Sequence, residues 1–351
     1  MDISPYLDLM IEKEGSDLYF TTGATPKMKV DGKMASVGSA TLTKEQASAV
    51  VLGVMQPEQI EFFKSNLEID FAISHGEAGR FRVNAFHQKG SPAMVLRYIR
   101  SEVPNITDLK VPEILKELIL NKRGLLLMVG GTGSGKSTTL AAMIDHRNST
   151  MGGHILTIED PVEFFHPHKK SLINQRELGP DTHSYANALK SSLREAPDVI
   201  LIGEIRDKET MEAALELAGT GHLCISTLHA NNADQALTRI INMFPQETHK
   251  QLFMDLSLYL RAILSQRLVK SVDGKRRAAV EVMINTPHIA EQILKGDIDM
   301  VKEAMADSSE KGVQSFDTAL LALYKEEAIS MEEALNSADS RANLEAKIHF
   351  A

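Results

Sequence analysis

The chain has 351 residues, 43% of them hydrophobic and 24% charged, with a formal net charge of −9. That length allows two or three domains with a large core, and the acidic balance without a long basic tract argues against a dedicated nucleic-acid binder. The single cysteine, Cys224, excludes an intrachain disulfide and a cysteine-based zinc site. The absence of a signal-peptide pattern and of any apolar run near 18 residues leads us to expect a cytoplasmic protein with no direct membrane insertion.

Residues 1–100 read as a small α/β domain. Helical spacing of apolar residues runs over 5–14, and a strand is predicted over 17–21. An Asp-Gly pair at 31–32 predicts a hairpin turn over 30–33. Helices are predicted over 43–54, with Thr43 as N-cap, and over 57–65. Alternating strands follow at 69–74, 80–88 and 93–100. The polar, proline-containing stretch 101–111 reads as a linker.

Beyond it the pattern changes. In 112–285, helical segments separate four uniformly apolar strands at 125–129, 155–159, 199–202 and 223–227. Strands of that kind form a parallel sheet covered on both faces, and nucleotides bind at the carboxyl ends of such strands. Residues 286–351 read as short helices. Cys224, inside an apolar run, reads as a buried small hydrophobe, and the scattered methionines as core filling. The histidines beside Pro167, His166 and His168, read as surface residues.

The candidate chemistry lies past those strands. Gly130-Gly-Thr-Gly-Ser-Gly-Lys-Ser137 is the G-x-x-x-x-G-K-[ST] phosphate loop between a strand and a helix. Gly130, Gly131, Gly133 and Gly135, with Thr132 and Ser134 between them, let the backbone N–H groups face an anion. Lys136 is placed for the β- and γ-phosphates and Ser137 for Mg²⁺. Thr138 opens a helix whose positive end faces the phosphates. Glu159, Asp160 and Glu163 follow the second strand, where carboxylates serve to position Mg²⁺ or an attacking water. Alone, they also suit a solvated acidic turn. The third strand ends at Gly203-Glu204, a Walker B form in which glycine stands at the usual aspartate position. Glu204 would hold Mg²⁺ through water or polarise the nucleophile; a core strand with an exposed glutamate is the plainer alternative. His222 and His229 bracket the fourth strand, too far apart to share a metal, and suit hydrogen bonding near the γ-phosphate or at a subunit edge.

In this order the elements closely resemble the secretion and type IV pilus motor ATPases. Residues 130–138 match that family's Walker A, 158–164 its acidic box, 193–207 its Walker B and 220–229 its histidine box. The chain looks nearest the PilT/PilU retraction branch. The assembly and secretion ATPases usually carry a four-cysteine insert, which a single cysteine forbids. Residues 228–237, Leu-His-Ala-Asn-Asn-Ala-Asp-Gln-Ala-Leu, look like the PilU side. So does 288–295, which lacks the two arginines of the helix that the PilT side needs for retraction, and so does a longer closing helix over 336–350.

The resemblance implies a PAS-like N-terminal domain joined to a RecA-like P-loop ATPase domain, assembled as a homohexameric ring that hydrolyses ATP with Mg²⁺. It implies Glu163 as the residue that orients or deprotonates water, Glu204 as the Mg²⁺ holder through water, and His222 and His229 as γ-phosphate sensors. Arginines of the N-terminal domain would approach the phosphates, with Arg82 and Arg97 preferred over Arg80. The implied partners are a PilT-like retraction ATPase and the inner-membrane platform protein at the pilus base, with no nucleic acid. A pilus-extension, type II secretion or DNA-uptake motor, or a ring that mainly stabilises another motor, are the alternatives.

Overall fold

The computed structural model describes residues 2–30, 32–76, 79–99 and 102–349. Two compact units emerge: Met1–Glu102 with Glu163–Phe165, and Val103–Val162 with His166–Ala351. Both mix helices with a sheet.

The N-terminal unit runs α1 (Ser4–Glu12), β1 (Asp17–Phe20), β2 (Lys27–Val30), β3 (Lys33–Ser36), α2 (Lys44–Leu52), α3 (Pro57–Asn66), β4 (Glu68–His75), β5 (Gly79–Gln88) and β6 (Ser91–Ile99). The sheet order is β3-β2-β1-β6-β5-β4, and all its pairs are antiparallel. The hairpin foreseen over 30–33 joins β2 to β3 with Val30 opposite Lys33; its Asp31 lies outside the described residues. Thr43 caps α2 in a reciprocal pair, its side chain accepting from Gln46 N while Gln46 Oε1 accepts from Thr43 N. Alternate residues Phe81, Val83 and Ala85 of β5 enter a core with Leu18, Phe20 and Leu96.

The C-terminal unit contains α4 (Ile114–Ile119), β7 (Gly124–Val129), α5 (Lys136–Thr150), β8 (Gly153–Glu159), β9 (Ser171–Glu177), α6 (Tyr185–Ser192), β10 (Val199–Ile202), α7 (Lys208–Gly219), β11 (Leu223–Leu228), α8 (Ala233–Ile241), α9 (His249–Tyr259), β12 (Leu260–Lys270), β13 (Arg276–Ile284), α10 (Pro287–Lys295), α11 (Asp299–Ala306), α12 (Phe316–Lys325), α13 (Met331–Ser337) and α14 (Arg341–His349). Its sheet order is β13-β12-β7-β11-β10-β8-β9, parallel from β12 to β9, with β13 antiparallel at one edge.

The buried strands β7, β8, β10 and β11 are those read from the apolar runs. Leu125, Leu127 and Val129 of β7 pack on one face with Met211 and Ala214 of α7, and Leu126 and Met128 on the other with Leu140 and Met143 of α5. Helices on both faces explain why the strand is apolar at every position.

Three sequence expectations change. Ile106 and Val111 of the stretch read as a linker are buried against Leu115 in this unit's core. Ser101 at its start and Arg100 at the end of the foreseen strand 93–100 lie outside the described residues. The closing helix foreseen over 336–350 is two helices. The chain breaks at residues 338–340, where Asp317 accepts from Asp339 N and Ser340 N; Phe350 lies outside the described residues. His166 is only partly exposed, and its backbone N–H donates to Gln175 Oε1. Among the described residues no helix is long and apolar enough to cross a membrane.

Candidate functional site

The phosphate loop follows β7 without a spare residue. Gly130, Gly133 and Gly135 adopt φ of 152°, 77° and 84°, values that disfavour any side chain. Gly135 caps α5, so Lys136, Ser137 and Thr138 form the helix's first turn and the amino end of the helix adjoins the loop. The Lys136 ammonium donates to the Gly130 and Gly131 carbonyls at 2.8 and 2.9 Å, closing the loop over itself. Thr132 and Gly131 are exposed, whereas Ser134 is buried.

Glu204 and His229 meet near this loop. Both follow carboxyl ends of adjacent parallel strands, β10 and β11. His229 Nε2 lies 3.1 Å from Glu204 Oε1, while Arg206 donates through Nε to Glu204 Oε2 at 2.8 Å. Thr227 Oγ1 donates to Gly203 O at 2.6 Å and fixes the turn that presents Glu204. Glycine at 203 has a steric cause: a Cβ there would stand 2.8 Å from the Tyr185 hydroxyl and 3.2 Å from the β8 backbone. A side chain at the Walker B aspartate position would crowd Tyr185 and β8, and the carboxylate is delivered one residue later.

A cavity of about 460 Å³ joins Gly130 and Gly131 to His229, Asn231, Gln235 and Arg239. A second, of about 440 Å³, opens beside Gly135 and Thr138, with Lys110, Lys275, Arg276 and Arg277 around it. One end of the loop therefore shares a cavity with His229, and the other opens on a pocket whose four basic residues outnumber Asp108 and Asp273.

His222 stands apart. Its carbonyl accepts from Gly124 N at the amino ends of β11 and β7, and its ring bonds to Leu217 O and Thr220 Oγ1. Six residues of strand, about 20 Å, separate it from the loop end. Of the two histidines, His229 is near the loop within this unit, while His222 lies at the other end of β11.

The acidic stretch divides too. Glu159 accepts from Thr157 Oγ1 at 2.7 Å at the end of β8, whereas Glu163 is exposed and groups with the N-terminal unit. In that unit Arg97 Nε donates to the buried Asp17 at 2.9 Å, and Arg82 Nε lies 3.7 Å from Asp70.

Sequence reading missed Gln266 and Tyr185, and gave Arg206, within the Walker B stretch, no role of its own. Gln266 of β12 is 2% exposed and hydrogen-bonded to the phosphate loop. An amide flanked by the apolar residues 262–264 and 268–269 was the available signal, because a buried amide needs partners. The Tyr185 hydroxyl is pushed far up by burial and by the nearby carboxylate of Asp160, so it stays protonated.

No group of three or more His, Cys, Asp or Glu among the described residues forms a metal cage. The Ser137 hydroxyl and the Glu204 carboxylate are oxygen donors of the kind Mg²⁺ takes beside phosphate and water, Glu204 being engaged here by His229 and Arg206.

The family model described as type II/IV secretion system protein matches residues 2–336. A type IV pilus ATPase of Pseudomonas aeruginosa, PilU, is 52% identical over 345 residues, covering 98% of this chain and 90% of that one. The type IV pilus retraction ATPase PilT of the same organism is 41% identical, covering 96% of this chain and 98% of that one. A crystal structure of the pilus retraction motor PilT with bound ADP superposes with a TM-score of 0.92 at 39% identity, covering 99% of both chains.

Proposed function

The chain belongs to the type II/IV secretion system protein family, and from that premise we propose that it is an ATP-hydrolysing motor for type IV pilus retraction and twitching motility, of the PilU kind. The observation that carries this reading is the phosphate loop, where glycine dihedrals, Lys136 and the first turn of α5 form an anion cradle beside Glu204 and His229.

Lys136 would leave the Gly130 and Gly131 carbonyls for the β- and γ-phosphates. Ser137, with Glu204 acting through water, would hold Mg²⁺. The metal supplies charge neutralisation across the phosphates when bound. His229, joined to Glu204, sits where a change at the γ-phosphate would be felt. Glu163 is our choice for the group that orients or deprotonates water, and Arg82 and Arg97 for the arginines that stabilise charge on the transferred phosphoryl group. Each of these two arginines must then be released from its carboxylate. The basic pocket beside Thr138 suits the remainder of the nucleotide.

The same reading includes a PAS-like N-terminal domain, a RecA-like core, a homohexameric ring in the cytoplasm at the pilus base, and cooperation with a PilT-type ATPase and the platform protein. The altered segment at 288–295, with no arginine, supports dependence on a PilT-type partner.

Steady-state ATP hydrolysis by the purified chain tests the core of it. Lys136→Ala is expected to lower turnover by about a hundredfold or more, and Glu204→Gln to retain ADP binding while losing turnover. Wild-type turnover in Lys136→Ala would refute the reading. Arg97→Ala at wild-type rate would remove that arginine from the site.

A further inference from the structure

We propose that Gln266 is a positioning residue for nucleotide binding, its side-chain amide holding the phosphate loop in its binding shape from the neighbouring strand. The inference rests on the nucleotide-binding reading above and adds to it a residue outside every loop motif.

Ser265 is the partner of Val129 in the parallel β12–β7 ladder, so Gln266 stands beside Gly130 where the loop begins. Its Nε2 donates to Ser134 O at 2.8 Å, and its Oε1 accepts from Thr139 Oγ1 at 2.8 Å. One amide thus ties the middle of the loop to the first turn of α5. It spans Lys136, Ser137 and Thr138, the residues that face the phosphates. Because a trans peptide sets C=O and N–H on opposite sides, a Ser134 carbonyl fixed toward Gln266 turns the Gly135 N–H away from β12. Gln266 also accounts for two glycines beyond their dihedrals. A Cβ on Gly130 would lie 2.6 Å from Gln266 O, and one on Gly135 2.8 Å from Gln266 Nε2.

All three partners are buried: Gln266 and Thr139 are each 2% exposed and Ser134 is 9% exposed. An unpaired amide here would be costly, so the contact holds the loop without nucleotide. A loop already ordered loses less freedom on binding, which places the effect on affinity rather than on the chemical step.

The test measures binding of Mg·ADP by calorimetry, ATP turnover, and amide exchange of residues 131–135 in nucleotide-free protein. Gln266→Met keeps the length and removes both hydrogen bonds; Thr139→Val removes one; Thr139→Ser keeps the hydroxyl. Gln266→Met and Thr139→Val are each expected to weaken ADP about tenfold and raise KM for ATP by a similar factor, with kcat within about twofold. Loop exchange should quicken about tenfold in both. Thr139→Ser should match wild type, and the double variant should be no weaker than Gln266→Met alone. A purely structural amide would lower the melting temperature without this KM-against-kcat split. Wild-type ADP affinity and unchanged loop exchange in Gln266→Met would overturn the proposal, and Thr139→Val decides it if Gln266→Met does not fold. If the wild-type chain binds no ADP, the nucleotide reading falls, while loop exchange still decides the clamp.

Discussion

Glu281 shows how one buried residue contributes to the pH behaviour of the fold. It is buried on β13, where its Oε1 accepts from Ala233 N at the start of α8 and from Ser265 Oγ. Burial pushes its carboxyl up to about 7, against those two hydrogen bonds and aided by Asp339 and Asp234. The folded state therefore holds a proton that the unfolded state releases near 4.5. The stability that Glu281 contributes is lost as pH rises from about 4.5 to about 7, because at this site the unfolded chain binds fewer protons over that window, while His166, lowered to about 4 by burial, contributes in the opposite sense. Glu281→Gln keeps an oxygen for both donors and should flatten this dependence. Urea titrations at pH 5 and pH 8 are expected to find it more stable than wild type only at pH 8, by on the order of 1–3 kcal/mol. Equal pH profiles would contradict the assignment. Gly203 makes a steric case at the same scale. Gly203→Ala should cost about 1–3 kcal/mol by crowding the Tyr185 hydroxyl. Tyr185→Phe should recover part of that cost in a double-mutant cycle. The glycines and Lys136 of the phosphate loop were legible because their spacing is dictated by the anion they cradle. Gln266, Tyr185 and Glu281 were not, because their roles come from strands and helices brought together only by folding.

Among the elements, β12 touches both the phosphate loop and the C-terminal helices. Next to Gln266, Arg267 reaches the C-terminal helices: it donates to Ser337 O, pairs with Asp339 at 2.6 Å and lies 3.9 Å from the centre of the Phe316 ring. Its Nη2 also bonds Asn231 O, two residues past His229. Adjacent residues of one strand therefore hold the phosphate loop and the layer formed by α12, α13 and α14. Arg267→Met should loosen that layer by about 1–3 kcal/mol, discounted because the arginine is partly exposed. Limited proteolysis is expected to cut residues 315–349 sooner while β7 and α5 stay protected. Unchanged cleavage would show that the apolar cluster around Phe316, Leu320 and Leu344 suffices. The four buried strands were readable because both faces of a parallel sheet demand apolar residues. Strands β9, β12 and β13 were missed because polar and charged residues interrupt their patterns, as Asn174, Gln175 and Arg176 do in β9 and Gln266, Arg267 and Lys270 in β12.

At the scale of the molecule, motif order identified the family while composition could only exclude alternatives. An acidic chain with one cysteine is compatible with many enzymes; four motifs at the ends of four neighbouring strands of one sheet are not. What the sequence could not convey is which motif residues share a place. The histidine box splits between the two ends of β11, and the acidic box divides its carboxylates between Glu159 at β8 and an exposed Glu163. These facts confine the central claim to the loop, Glu204 and His229 driving pilus retraction by ATP hydrolysis. The most direct measurement is twitching of cells that lack this chain but keep a PilT-type motor, complemented with wild type or Lys136→Ala at equal protein level. The account expects wild type to restore twitching and Lys136→Ala to leave the defect in place. Full restoration by Lys136→Ala would contradict it, and would make the chain a scaffold whose nucleotide site is idle.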